Sequence, residues 1–276
     1  MIKIITDSSS DLPEELVTKY DISVVPLTVT IDGQDYHEKI DLKPREFFAK
    51  MFATDQLPKT SQPSPAAFAK AFSSFDSETE VLCITISSGL SGTYQSASMG
   101  KELSGNANVT VFDSLAGSLG HGLQLIRAAE LAEAGHSMDE IVANLVEFRE
   151  NMNILVLLDT LENIVKGGRL SKFQGSLAKI LNIKVILERV DGGKVEILEK
   201  VRGKKKFQKR VLEIIAERGS DFSSTTFGIT HTGNEDEAEA LKQELIRLFQ
   251  PKEVIVNYMG ATMGTYAGRD GMIVSF

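Results

Sequence analysis

Short apolar runs alternate with amphipathic stretches through the first half of the chain. Ile2–Thr6 reads as a strand, Asp7–Pro13 as a turn, and a short helix starts at Glu14. Ser23–Ile31 alternates and predicts one strand. Asp32-Gly33 is a hairpin signal before a strand over Tyr36–Ile40. A helix over Lys43–Phe52 and a loop over Leu57–Pro65 with three prolines come next, then a helix over Ala66–Phe72. Val81–Ile86 is a run of branched apolar residues and predicts a buried strand. Tyr94–Leu103 is helical, interrupted only by Gly100. Val109–Phe112 is a strand and His121–Ala134 a helix. Met138–Glu150 is a helix capped by Ser137, with Ile141, Leu145 and Phe148 on its inner face.

The pattern changes near Asn151. A strand over Ile154–Asp159 leads to Lys166-Gly-Gly-Arg169 and a helix over Phe173–Leu181. Val185–Val190 and Lys194–Val201 flank the hairpin signal Asp191-Gly192. Lys205–Arg218 and Asp236–Phe249 are helices, the second with Leu241, Leu245 and Leu248 inward. Thr226–Thr230, Val254–Tyr258 and Met272–Phe276 are strands. The predicted class is α/β with two domains: a mostly parallel sheet with flanking helices over 1–150, and an α+β unit with a mixed sheet over 151–276. In a parallel sheet ligands sit at the carboxyl ends of the strands, which selects the Asp7, Ser91 and Asp113 loops.

Composition narrows the setting. The chain has 276 residues, long enough for two cores, and a net charge of -8 that argues against nucleic-acid binding. Its one cysteine, Cys83, lies within a predicted strand and reads as a small core residue. No apolar run approaches the ~20 residues of a membrane span, and no signal-peptide pattern opens the sequence. A cytoplasmic protein is expected.

The most informative segment is Ser87-Ser-Gly-Leu-Ser-Gly-Thr93 between a predicted strand and a predicted helix. Such a loop aims backbone N–H groups and hydroxyls at one point, assisted by the helix dipole, and can hold an anion. No Lys-Ser or Lys-Thr follows the glycines, Gly-x-Gly-x-x-Gly is absent, and Thr93 stands where a nucleophile elbow needs glycine. Ser91 fits two roles on the local sequence, helix cap or ligand contact.

Five pieces carry a resemblance: Thr6-Asp-Ser-Ser-Ser-Asp-Leu-Pro13, Lys59-Thr-Ser-Gln-Pro-Ser-Pro65, Ser87-Ser-Gly-Leu-Ser-Gly-Thr-Tyr-Gln95, Gly167-Gly-Arg-Leu-Ser171 and His231-Thr-Gly233. In this order and spacing the chain resembles the DegV family of fatty-acid-binding proteins. The resemblance implies one long-chain fatty acid held between two domains, its chain running into the apolar C-terminal domain. Thr60 and Ser91 would hold the carboxylate, with Ser61, Gly92 and Thr93 from the same loops and Arg169 close by. It further implies a non-catalytic role: presenting the acid to a separate ATP-binding kinase subunit, which makes an acyl phosphate for phospholipid synthesis. Transient membrane contact during lipid exchange fits that role. One departure stands out. Where the family has Gly-Thr-His-Thr-Gly-Pro-Gly, this chain has Gly264-Thr-Tyr-Ala-Gly-Arg-Asp-Gly271, so Tyr266 replaces the head-group histidine and Arg269 and Asp270 add charges.

Lys200–Arg210 holds seven basic residues and no acidic one. It reads either as a solvated hairpin end or as a docking surface. The resemblance places a kinase-contacting arginine at Arg202, with Lys204 and Lys205 beside it. The rival class is an enzyme, a hydrolase or phosphotransferase using the hydroxyl loops. Ala116-Gly-Ser-Leu-Gly120 is a near miss to a nucleophile elbow, with His231 and Asp159 as conceivable partners. A third reading is a diverged regulatory binder. The four histidines lack metal-ligand spacing, and Asp7 and Asp113, though able to meet a cation, are ordinary turn formers. No metal or cofactor is expected.

Overall fold

The computed structural model describes residues 1–54, 56–76, 78–170 and 183–276. The predicted helix over Phe173–Leu181, and Ser171 of the Gly-Gly-Arg motif, lie outside the described residues. The first half contains β1 (Ile2–Asp7), α1 (Glu14–Lys19), β2 (Ser23–Val25), β3 (Thr28–Ile31), β4 (Gln34–His37), α2 (Pro44–Met51), β5 (Lys59–Ser61), α3 (Pro65–Phe72), β6 (Glu80–Thr85), α4 (Thr93–Ser104), β7 (Val109–Asp113), α5 (Leu119–Glu133) and α6 (Met138–Asn151). The second contains β8 (Ile154–Leu158), α7 (Glu162–Lys166), β9 (Ile183–Val190), β10 (Lys194–Arg202), α8 (Lys204–Arg218), β11 (Thr226–His231), α9 (Glu235–Phe249), β12 (Glu253–Tyr258), α10 (Ala261–Ala267) and β13 (Met272–Ser275).

Three sheets form among the described residues. A four-stranded parallel sheet runs β2-β1-β6-β7, a six-stranded mixed sheet runs β10-β9-β8-β13-β11-β12, and a small antiparallel sheet runs β4-β3-β5. In β6 the run Val81–Ile84 is buried without alternation, as expected for a strand covered on both faces. α5 packs on β1 and β6 of the parallel sheet and on β11 and β13 of the mixed one. Its first two turns, Leu119–Leu125, are buried all round, so it belongs to the interior of the molecule. One continuous core accordingly reaches from Ile4 and Ile84 through Leu119 to Ile154 and Ile273.

Several expectations change. Ser23–Ile31 is two strands, because Pro26 interrupts the pairing and the chain passes from the parallel sheet to the small one. The Asp32-Gly33 turn is present, both residues having positive φ, but β4 ends at His37 and Ile40 is exposed. Lys59–Ser61, read as loop, pairs with β3 through Thr28↔Ser61, Val29↔Thr60 and Thr30↔Lys59. Ser137 caps α6 in a full capping box with Glu140. In α9 Leu245 is buried and Leu241 half-buried, while Leu248 turns outward at 44% exposure. α7 and α10 are helices where the sequence predicts none.

Candidate functional site

The loop after β6 is strapped at both ends. Asp7 at the end of β1 accepts from Ile86 N at 2.7 Å, and Asp113 at the end of β7 accepts from Ser88 N at 3.1 Å. These two carboxylates therefore shape the loop, which fills the role the sequence left open between cation site and turn former. Ser87 Oγ donates to Gly193 O at 2.7 Å in the β9–β10 turn, and a side chain on Gly193 would overlap that hydroxyl. Leu90 N and Ser91 N both donate to Ser87 O. Ser91 Oγ lies 2.8 Å from Thr93 Oγ1 and is 3.4 Å from Thr93 N, a loose cap that leaves the hydroxyl half-buried at a cavity wall.

That cavity has a volume of about 330 Å³, at the lower end for small-molecule sites. Its polar lining includes Thr60, Ser61, Gln62, Ser91, Gly92, Arg169 and Tyr266. Leu27, Ile86, Val156, Val195, Met263 and Ile273 are among the apolar residues that complete it. Residues from the small and the mixed sheets, from the loop after β6 and from α10 thus meet around one space. Six of the seven ligand residues expected from sequence line it. Thr93 does not: it is fully buried and supports Ser91 from behind.

Tyr266 is the centre of the polar part. Its hydroxyl lies 2.5 Å from Thr60 Oγ1. Its ring packs on Gly167, where a Cβ would come within 2.3 Å of a ring carbon, so only glycine admits the ring. The Arg169 guanidinium sits 4.8 Å from the ring centroid and donates to Gly167 O at 2.7 Å and Leu90 O at 3.3 Å. Among the described residues no carboxylate pairs with Arg169. A half-buried cation that, among the described residues, is held by carbonyls and a ring retains attraction for an anion.

The other departures turn away. Asp270, where the family pattern has glycine, has φ 58°, in the left-handed region that favours glycine. Asp270 lines a cleft between α8 and α9, and Arg269 lies over Phe52 at 4.0 Å. Only Tyr266 of the three reaches the cavity.

The enzyme constellation does not assemble. Ser118 has the positive φ of a strained elbow, 54°, yet its hydroxyl is buried against Asp11 Oδ2 at 2.6 Å and Thr230 Oγ1 at 2.7 Å. Asp159 pairs with Lys184, and His231 accepts from Gly233 N and packs on Tyr258. Cys83 is buried, which pushes its thiol up. Among the described residues no His, Cys, Asp and Glu cluster could hold a metal, and no helix is long and apolar enough to cross a membrane.

The basic segment is partly self-neutralised. Lys204 pairs with Glu237 at 2.7 Å, Lys209 with Glu213, and Arg210 with Glu199 and Glu217. Arg202 and Lys205 are exposed, and among the described residues no carboxylate pairs with either. Sequence reasoning missed Gln62, which lies over Gly92, and the α10 residues Thr262 and Met263. Gln62 stood within the quoted Lys-Thr-Ser-Gln-Pro piece; the α10 residues had no signal of their own.

A three-sheet α/β protein with an amphipathic cavity, hydroxyls and an arginine on one part of its wall and aliphatic side chains on the rest, offers a small amphiphile both a polar and an apolar wall. The chain belongs to the DegV family: a family model described as "Uncharacterised protein, DegV family" matches residues 1–276. A DegV domain-containing protein of Caldanaerobacter subterraneus is 36% identical over 279 residues, covering 100% of this chain and 98% of the relative. Among solved structures, a fatty-acid-binding DegV family protein from Thermus thermophilus superposes with a TM-score of 0.92 at 34% identity, covering 100% and 99% of the two chains. A DegV family protein from Eubacterium eligens loaded with heptadecanoic acid has a TM-score of 0.88 at 26% identity, with coverage of 100% and 99%.

Proposed function

We propose that this chain binds one long-chain fatty acid in the 330 Å³ cavity, as a carrier without catalysis of its own. The observation that carries the reading is the lining: Thr60, Ser91, Tyr266 and Arg169 together, next to Leu27, Val156, Val195 and Ile273. Each buried methylene gains about 0.8 kcal/mol, so a chain of ~16 carbons gains roughly 12 kcal/mol before the costs of ordering. The hydroxyls decide which end stays at the polar wall and prevent an unpaired buried carboxylate. Arg169 adds a cation, so the carboxylate meets more than neutral donors.

In this reading the head-group loops belong to a unit over 1–150 and much of the acyl wall to one over 151–276. The loaded protein is cytoplasmic and presents the acid to a separate ATP-binding kinase subunit, for which Arg202 and Lys205 are the exposed cations. Lys204, already paired with Glu237, contributes less.

Native mass spectrometry of the freshly purified chain, followed by solvent extraction, tests the ligand. One fatty acid per chain is expected. An empty protein that takes up neither oleate nor palmitate overturns the reading. Incubation with oleate and ATP tests the carrier role: no ATP turnover by the chain alone, and acyl phosphate only when a kinase subunit is added. Turnover by the chain alone would replace the carrier by an enzyme.

A further inference from the structure

Of the three fully enclosed carboxylates outside the cavity wall among the described residues, Asp7 holds the loop after β6, and the other two lie elsewhere. Asp11 is 0% and Glu38 1% exposed. Both are spent on the start of α10. Asp11 Oδ1 accepts from Gly260 N at 2.7 Å, and Glu38 accepts from Thr262 N at 2.7 Å and Thr262 Oγ1 at 2.8 Å. They close around Gly260 so tightly that a Cβ there would lie 2.4 Å from Glu38 Oε1 and 2.9 Å from Asp11 Oδ1. The helix they hold supplies Thr262, Met263, Tyr266 and Ala267 to the cavity.

The strained backbone at Ser118 has a use in this arrangement. It aims the Ser118 hydroxyl at Asp11 and Thr230, while Ser8 Oγ donates to Glu38 at 2.5 Å. Asn257 anchors the Asp11 main chain through its carbonyl at 2.8 Å. We propose that Asp11 and Glu38 are positioning residues that latch α10 over the cavity, so that the hold on a bound fatty acid depends on the state of the latch. The ligand half of this statement rests on the fatty-acid reading of the cavity; the latch itself does not.

The charged groups facing Asp11 are Glu38, which raises its affinity for a proton, and Lys39, which lowers it; burial is the largest influence and pushes Asp11 up to about 7. Burial likewise raises Glu38, against Lys39 and the hydrogen bonds from Ser8 and Thr262. From the neighbouring elements, Asp7 on β1 is engaged with Ser9 and Ile86, and His121 on α5 with Thr6 and Ile84 O. The closed latch therefore keeps a proton that a hydrated, opened one would release near 4. Linkage gives the sign: opening becomes easier as pH rises through about 7, by about tenfold between pH 6 and pH 8.

Hydrogen exchange of the α10 amides in the full chain, with and without oleate, tests this. Wild-type protection, corrected for intrinsic rates, is expected to be about tenfold lower at pH 8 than at pH 6. Asp11→Asn, which has no proton to lose, is expected to be equally protected at both. Should that variant fail to fold, Glu38→Gln is expected to reduce the pH dependence in the same way. Equal wild-type protection at the two pH values, or an undiminished drop in the variants, overturns the latch. Oleate that changes nothing at α10 while the pH effect persists overturns the fatty-acid reading and leaves the latch standing. Oleate dissociation faster at pH 8 than at pH 6 in the wild type, and flat in Asp11→Asn, supports the coupling of the two; identical profiles overturn it.

Discussion

Tyr266→Phe separates the head-group contact from the acyl grip. The phenol is bonded to Thr60 Oγ1, so it has a partner within the protein. A bound carboxylate exchanges that neutral bond, worth about 0.5–1.5 kcal/mol, for a charged one worth about 1.5–3 kcal/mol. The difference, about 1–1.5 kcal/mol, sets the loss on removing the hydroxyl: about five- to twelvefold in affinity. Phenylalanine keeps the ring against Gly167 and beneath Arg169, so the apolar walls are unchanged. Each methylene should still contribute about 0.8 kcal/mol, about fourfold in affinity, in both proteins. Titration of delipidated protein with saturated acids of increasing length should therefore give two parallel lines of binding free energy against carbon number. Superimposed lines would show that the phenol serves Thr60 alone. A changed slope would show that it shapes the acyl channel, and either result would refute the head-group assignment.

Three further outcomes follow from particular contacts. Asp11, raised to about 7 by burial, holds a proton when folded that the unfolded chain loses near 4, so its contribution is full at low pH and is lost as pH rises through about 7. By linkage the decline is up to ~4 kcal/mol, and urea melts of Asp11→Asn should lack that part of it; identical pH slopes for the two proteins would count against the buried proton. Gly167→Ala puts a methyl within 2.3 Å of the Tyr266 ring, and a cost of about 1–3 kcal/mol in stability with weakened oleate binding is expected, checked by thermal melts and the same titration. Arg202→Ala should slow phosphorylation of bound oleate by a kinase subunit while mass spectrometry shows unchanged lipid occupancy, since Arg202 is exposed and does not line the cavity.

What could be read from sequence was whatever a segment decides for itself. β6 was legible because a strand buried on both faces must be apolar throughout, and α6 because its capping box is local. β5 was not, since Lys59-Thr-Ser61 has little strand character and is extended because β3 offers it partners. α10 was not, since Ala261-Thr-Met-Gly-Thr-Tyr-Ala267 has a glycine at its centre. That glycine admits Phe48, whose ring would lie 2.4 Å from a Cβ at Gly264, and the two carboxylates that hold its first turn come from more than 220 residues earlier.

The hydroxyls show the same limit more sharply. Thr60, Ser91, Ser8 and Ser118 all stand in short polar stretches and look alike along the chain. In the fold they divide by partner. Ser8 and Ser118 donate to buried carboxylates of the protein, charged or proton-sharing bonds that a ligand could replace only by stranding Glu38 or Asp11. Thr60 and Ser91 are bonded to other hydroxyls, Tyr266 and Thr93, at the wall of the cavity. Those neutral bonds are worth about 1 kcal/mol each and can be given up for a carboxylate oxygen at a net gain. The same residue type is thus structural where a carboxylate has claimed it and available for binding where only a second hydroxyl has.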